Sequence, residues 1–161
     1  QFWDVLNGWI AVNYKEIWRT HDGGQNWEEI LTNSTVTNIY FNNYSNGWVV
    51  GPQSIEYTTD NGSTWQQAPL IRNGNFNAVY SWFENDVWTV GSQDRILYSD
   101  QGGKQWQVQN EWTSSDVNDI FFSGQHYGWA VGDDGAIMHT WDGGITWKDK
   151  TFFTDMYDYN Y

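Results

Sequence analysis

The chain has 161 residues, room for one domain with a sizeable core, because a compact fold of this length buries ~70% of its unfolded surface. Twenty Asp and Glu against seven Lys and Arg give a net charge of −13 with no basic cluster, so no nucleic acid partner is expected and an anionic lipid surface is disfavoured. No apolar run approaches the ~20 residues of a membrane span, and the absence of cysteine excludes disulfides and thiol chemistry without fixing a compartment.

Aromatic residues make up 19% of the chain and 13 of them are Trp, so the core must be built from rings that each bury ~150–250 Å². The chain opens at Gln1-Phe2-Trp3 with no Met and no signal-like segment, and reads as a mature or excised piece. A strand is expected at Gly8-Trp9, then a hairpin over 13–16, a strand about Ile17, and the turn Thr20-His-Asp22-Gly-Gly24-Gln-Asn-Trp27. A connection over 31–37 leads to an inner strand, Ile39-Tyr-Phe41, and the series repeats: Gly47-Trp48, a hairpin over 52–54, a strand about Ile55, and Thr58-Thr-Asp60-Asn-Gly62-Ser-Thr-Trp65. After 69–77 come Val79-Tyr-Ser81, Val87-Trp88, a hairpin over 92–95, a strand about Ile96, and Ser99-Asp-Gln101-Gly-Gly103-Lys-Gln-Trp106. After 110–118 come Ile120-Phe-Phe122, Gly128-Trp129, a hairpin over 133–136, a strand about Ile137, and Thr140-Trp-Asp142-Gly-Gly144-Ile-Thr-Trp147, with 151–158 following.

The turn tryptophans stand 38, 41 and 41 residues apart. A fixed period near 40 filled by short strands and Gly/Asn/Asp turns signals propeller blades. In each turn the Thr and Asp side chains can bond the backbone of their own hairpin, and Gly supplies positive φ. Two positions depart from the pattern, both in the third blade: Val87 replaces the Gly before Trp, and Gln101 replaces the box Asp, which should leave that turn the least rigid.

The stretch Gly128-Trp-Ala-Val-Gly132-Asp-Asp-Gly135-Ala-Ile-Met-His-Thr140-Trp-Asp142-Gly-Gly144-Ile-Thr-Trp147 resembles the blade signature of Asp-box (BNR-like) propellers. Within them it is most similar to the photosystem II stability and assembly factor family, and the likeness runs through all four repeats. It implies an all-β propeller of four-stranded blades, here approximately 1–38, 39–78, 79–119 and 120–161, and docking onto another protein complex outside the cytoplasm. Members of that family close seven blades and dock through a basic patch, whereas this chain holds four repeats, three Arg and four Lys. Either four blades belong to a longer polypeptide, or the ends pair, with a strand at 159–161, alone or with a second copy.

Propeller geometry places the hairpins after each Gly-Trp strand and the blade-to-blade connections on one face. Their sequences differ between repeats, so the fold does not dictate them. The candidate binding face comprises Tyr14, Lys15, Arg72, Asp94, Arg95, Trp112, Asp133 and Asp134. Of the five tryptophans outside the repeat, Trp3, Trp18 and Trp82 read as padding between blades, and Trp112 and Trp141 as ring platforms for a sugar or a protein. No catalytic residues, cofactor or metal are assigned: the three Arg do not make a sialidase cluster, and His21, His126 and His139 lack ligand spacing. A pair of carboxylates at glycosidase distance is invisible to sequence, which keeps a glycoside hydrolase or glycan-binding propeller as the alternative. The expected function is a non-catalytic scaffold in an extracellular, cell-surface or periplasmic setting, its partner a protein or a further copy of the chain.

Overall fold

The computed structural model describes residues 1–69, 74–92, 95–111 and 115–150, and these form fifteen strands and one short 3-10 turn. Each repeat becomes one antiparallel meander. The first sheet holds β1 (Gly8–Asn13), β2 (Glu16–Thr20) and β3 (Glu28–Leu31); the second holds β4 (Asn38–Phe41), β5 (Gly47–Gly51), β6 (Ser54–Thr58) and β7 (Gln66–Gln67). The third holds β8 (Phe76–Ser81), β9 (Val87–Gly91), β10 (Arg95–Ser99) and β11 (Gln107–Glu111), and the fourth holds β12 (Val117–Phe122), β13 (Gly128–Gly132), β14 (Ile137–Thr140) and β15 (Lys148–Asp149). Strand order in every sheet follows chain order, as in a propeller blade. The first blade has three strands rather than four, with a single bridge between Phe2 and Gly8 where its innermost strand would lie. The strands β4, β8 and β12 start at Asn38, Phe76 and Val117, up to three residues before the divisions drawn from sequence. Among the described residues no helix is long and apolar enough to cross a membrane.

The register is the same in all four sheets: Trp9 stands opposite Arg19, Trp48 opposite Tyr57, Trp88 opposite Tyr98 and Trp129 opposite His139. The core lies between blades. One cluster joins the second and third blades through Trp48, Val50, Phe76, Val87, Leu97 and Trp106, and another joins the third and fourth through Tyr80, Trp88, Val117, Phe122, Met138 and Trp147. Trp9 stacks on Phe41 of the next blade at 4.1 Å, and Trp88 meets Phe122 at 4.1 Å.

That packing explains the exception in the third blade. A Cβ at Gly128 would lie 2.5–2.7 Å from the Phe122 ring, and Gly8 and Gly47 are crowded in the same way by Phe2 and Phe41. The glycine exists because a phenyl ring covers it. Ser81 stands where Phe41 and Phe122 stand in their blades, and Val87, fully buried, replaces both the missing ring and the glycine. The pair Phe plus Gly has been exchanged for Ser plus Val.

The turns close as expected. Thr20 Oγ1 donates to Asp22 Oδ1 (2.9 Å) and accepts from Gly24 N (2.9 Å), while Asp22 Oδ1 accepts from Asn26 N (2.9 Å). In the second and fourth turns the hydroxyls of Thr64 and Thr146 donate to Asp60 and Asp142 at 2.6 Å. The third turn keeps the bond from Gly103 N to Ser99 Oγ (2.9 Å), with an amide at Gln101 in place of the carboxylate.

Polar side chains latch each blade to the next. Thr37 Oγ1 donates to Phe76 O (2.6 Å) and Asn77 Nδ2 to Val117 O (2.9 Å), from equivalent positions one repeat apart. The Gln1 carboxamide donates to Phe41 O (2.8 Å) and accepts from Phe41 N (2.7 Å). Trp48 Nε1 reaches Gly102 O (2.9 Å), and Arg19 Nη1 reaches the equivalent carbonyl, Asn61 O (2.7 Å).

Candidate functional site

The hairpins and connections that differ between repeats meet on one face and bond to one another. Thr32 N donates to Lys15 O (2.9 Å), Val36 N to Tyr14 O (2.5 Å), Gln53 N to Gly74 O (2.8 Å) and Asp133 N to Asp116 O (2.9 Å). Three glycines make this closeness possible. A Cβ on Gly51, Gly91 or Gly132 would run into the carbonyl of Thr35, Asn75 or Asp116, closer than any real Cβ contact. In the first blade the equivalent residue is Val12.

Tyr14 projects from this face, 78% exposed and in left-handed backbone (φ 46°), a conformation that costs a bulky residue ~1–2 kcal/mol relative to its relaxed state. Gln53 (φ 54°) and Asp134 (φ 54°) take the same conformation in the second and fourth hairpins. Asp133 and Asp134 sit in the 3-10 turn Asp133–Gly135 and accept from Asn118 Nδ2 (2.6 Å) and Ser115 Oγ (3.2 Å). Their carboxylates therefore brace the third connection, which leads into the fourth blade, while facing solvent. Lys15 is exposed beside Tyr14, and Arg95 begins β10 with its guanidinium against Gly74. The structure thus gathers Tyr14 with Lys15, and Asp133 with Asp134, on separate hairpins of one face; Arg72, Asp94 and Trp112 lie outside the described residues.

Glu56 was missed by sequence reasoning. Its carboxylate is fully buried and accepts from Asn33 N (3.0 Å) and Asn33 Nδ2 (3.0 Å), tying the first connection to the second blade. The available signal was an acidic residue where the other blades place Trp18, Leu97 and Met138. Of the tryptophans read as padding, Trp18 is half-buried in β2, while Trp3 and Trp82 stand on loops and are 45% and 38% exposed. Trp82 lines a groove of about 230 Å³ between the third and fourth blades, with Asp86, Tyr98, Gln109, His126 and Asp142.

Hydrogen bonding sets the charge state of the turns. Bonds from the Asn26 backbone and side chain hold the Asp22 carboxyl down at about 2, and the Thr64 hydroxyl holds Asp60 below the usual carboxylate range. Burial opposes this at Asp142, and the bonds from Thr146 and Thr140 outweigh it. In the groove, burial and then the bond to Asp86 (2.5 Å) push the Tyr98 phenol up. These turns bond to the loops between the first two strands of their blades, as Asn61 N does to Ser45 O and Gly143 N to His126 O, and so carry their charge at the end of the blades opposite to Tyr14, Asp133 and Asp134.

Comparison with known proteins agrees with the geometry. The chain resembles, at 17% identity and a TM-score of 0.62, a YCF48 bound to D1 peptide, over 92% of this chain and 80% of that one. It resembles YCF48 from Cyanidioschyzon merolae at 19% identity and a TM-score of 0.75, over 96% of this chain and 56% of that one. An ancestral GH74 enzyme shares the fold at 15% identity and a TM-score of 0.73, over 91% of this chain and 23% of that one. The chain therefore spans little more than half of the Cyanidioschyzon protein and about a quarter of the GH74 enzyme. No curated protein sequence matches significantly. The profile of the photosynthesis system II assembly factor YCF48 family matches residues 29–111 and 105–161, most of the chain, and the chain belongs to that family of BNR-like propellers.

Proposed function

We propose that this chain is a non-catalytic platform that holds a polypeptide segment of a larger assembly against its hairpin and connection face. The observation that carries the reading is the hydrogen-bonded lattice of loops, which fixes Tyr14, Lys15, Asp133 and Asp134 before any ligand arrives and so lowers the ordering cost of binding. Family membership supports it, as does the peptide bound to a related propeller. The net charge of −13 favours a segment carrying Lys or Arg, with an aromatic or aliphatic residue for Tyr14. An extracytoplasmic setting, as a module of a secreted or surface protein, suits an acidic propeller rich in Asn and Tyr.

The test is fluorescence anisotropy with equal-length basic, neutral and acidic peptides. Basic peptides bind with an affinity that falls as salt rises, and Tyr14→Ser with Asp133→Asn weakens them by ~10-fold or more. Equal binding of all three classes, or indifference to both substitutions, refutes the reading. A glycan ligand is the second reading, favoured by the Trp82 groove with its ring, amides and carboxylates. Soluble polysaccharide would then shift tryptophan emission, and Trp82→Ala would abolish the shift.

A further inference from the structure

Each junction between two blades brings one carbonyl of the following turn to the same point, and the three junctions treat it differently. Between the first and second blades Asn61 O accepts from Arg19 Nη1 (2.7 Å), and the same guanidinium pairs with the Glu28 carboxylate. Between the second and third, Gly102 O accepts from Trp48 Nε1 (2.9 Å), and the groove beside it holds Lys104 with Glu84. Between the third and fourth the counterpart is Gly143 O, which accepts no hydrogen bond among the described residues. The equivalent indole, Trp88, donates instead to Gln109 Oε1 (3.0 Å). Gln109 follows Trp106 by three residues, where the second blade has Ala68, and it falls at the irregularity between Ile96 and Leu97 in the pairing of β10 with β11. Bulges of this kind re-aim side chains. Here the carbonyl is left on the wall of the groove of about 230 Å³ that Trp82 borders.

That groove has the walls of a cation site. The Trp82 ring is held edge-on against Phe83 at 5.8 Å, and the Trp88 and Tyr98 rings lie 5.0 Å apart. Asp86 Oδ1 accepts from the Tyr98 hydroxyl (2.5 Å), and no described residue bonds Oδ2. Burial of Asp142 is outweighed by the bonds from Thr146 and Thr140, so this carboxyl is ionised at neutral pH. None of the described Lys and Arg lines the groove, Ile145 stands where the second groove has Lys104, and residues 151–161 contain no Lys or Arg. We propose that the groove binds an arginine side chain of a partner polypeptide, its guanidinium donating to Asp86 and Gly143 O as Arg19 donates to Glu28 and Asn61 O, with the Trp82 ring against its plane. A guanidinium is planar, weakly hydrated and carries five donors, so it can serve a carboxylate and a carbonyl at once while stacking on an indole. The net charge of −13 draws such a partner in. Both blades that form the site are described, and it lies at the end of the blades opposite to Tyr14, Asp133 and Asp134.

Indole N–H resonances in heteronuclear NMR spectra of the chain test this, with N-acetyl-arginine amide, N-acetyl-lysine amide and the uncharged N-acetyl-citrulline amide as probes. The arginine probe moves the Trp82 and Trp88 signals with a Kd of ~1–10 mM. The lysine probe binds ~3-fold or more weakly and the citrulline probe ~10-fold or more weakly. Asp86→Asn keeps an acceptor for Tyr98 and weakens the arginine probe by ~5-fold or more. Ile145→Lys, at a position 77% exposed, supplies the groove with a cation of its own and weakens the probe likewise. Tyr14→Ser with Asp133→Asn leaves these shifts unchanged, so this reading and that of the loop face fail independently. Equal binding of the arginine and citrulline probes, indifference to both groove variants, or no movement at about 50 mM probe overturns the proposal. Cellotetraose moving the same signals further than the arginine probe at equal concentration also overturns it, the mark of a sugar groove.

Discussion

Gly128→Ala isolates the ring-over-glycine packing. The new Cβ would stand 2.5–2.7 Å from three carbons of Phe122, so the ring must withdraw by about 1 Å to reach ordinary contact. Trp88 at 4.1 Å, and Tyr80 and Trp147 at 5.9 Å, block that movement. Overpacking of this kind costs ~1–3 kcal/mol, and losing the backbone freedom of glycine returns ~0.5–1 kcal/mol. The net loss is ~1–2 kcal/mol, a fall in Tm of ~2–8 °C. Urea unfolding at constant m-value measures it. The sharper form is a double-mutant cycle that copies the third blade into the fourth. Phe122→Ser alone costs ~3–5 kcal/mol, Gly128→Val alone costs more than Gly128→Ala, and the double variant costs less than the sum by ~1–3 kcal/mol. Strict additivity, or a neutral Gly128→Ala, would refute the claim that Val87 and Ser81 are one coupled exchange.

Gly91→Ala drives a methyl into the Asn75 carbonyl, breaks the bonds between Asn75 and Ser92, and costs ~2–4 kcal/mol, with faster amide exchange at Ser92 as the local readout. Asp22, Asp60 and Asp142 have folded-state pKa values below their unfolded values, so the stability they supply is present above about pH 4 and is lost as pH falls toward about 2; a triple Asn variant should flatten that acid limb in urea titrations. Completing the third turn with Gln101→Asp and Gln105→Thr should raise stability by ~0.5–1.5 kcal/mol at neutral pH and steepen the same limb. Tyr14→Gly relieves a positive φ and should raise stability by up to ~1 kcal/mol while weakening peptide binding; lower stability would show that the ring packs rather than waits.

The period and the turns were legible because their bonds are local: Thr20, Asp22, Gly24 and Asn26 lie within seven residues of one another. Val87 and Ser81 were each visible in the sequence, Val87 as a lost glycine, yet their coupling depends on which ring lies on which strand. Trp129 reads the same as Trp9, Trp48 and Trp88 in the sequence, yet it is 43% exposed where they are buried. The loops of the candidate face were visible in the sequence because they differ between repeats. What its residues do was not: Asp133 and Asp134 brace Asn118 and Ser115, and the buried Glu56 anchors Asn33, both pairings across connections that only the fold closes.

The latches run in one direction along the chain. Thr37 finishes the inner strand of the third blade and Asn77 that of the fourth, each donated by the blade before it. A blade therefore acquires its last hydrogen bonds from what was synthesised earlier, so the array can settle in the order in which a ribosome delivers it. Circular permutants that keep every blade but begin at β4 or β8 would hold the same contacts in the final state and reverse who waits for whom, and the difference would lie in refolding rate rather than in stability.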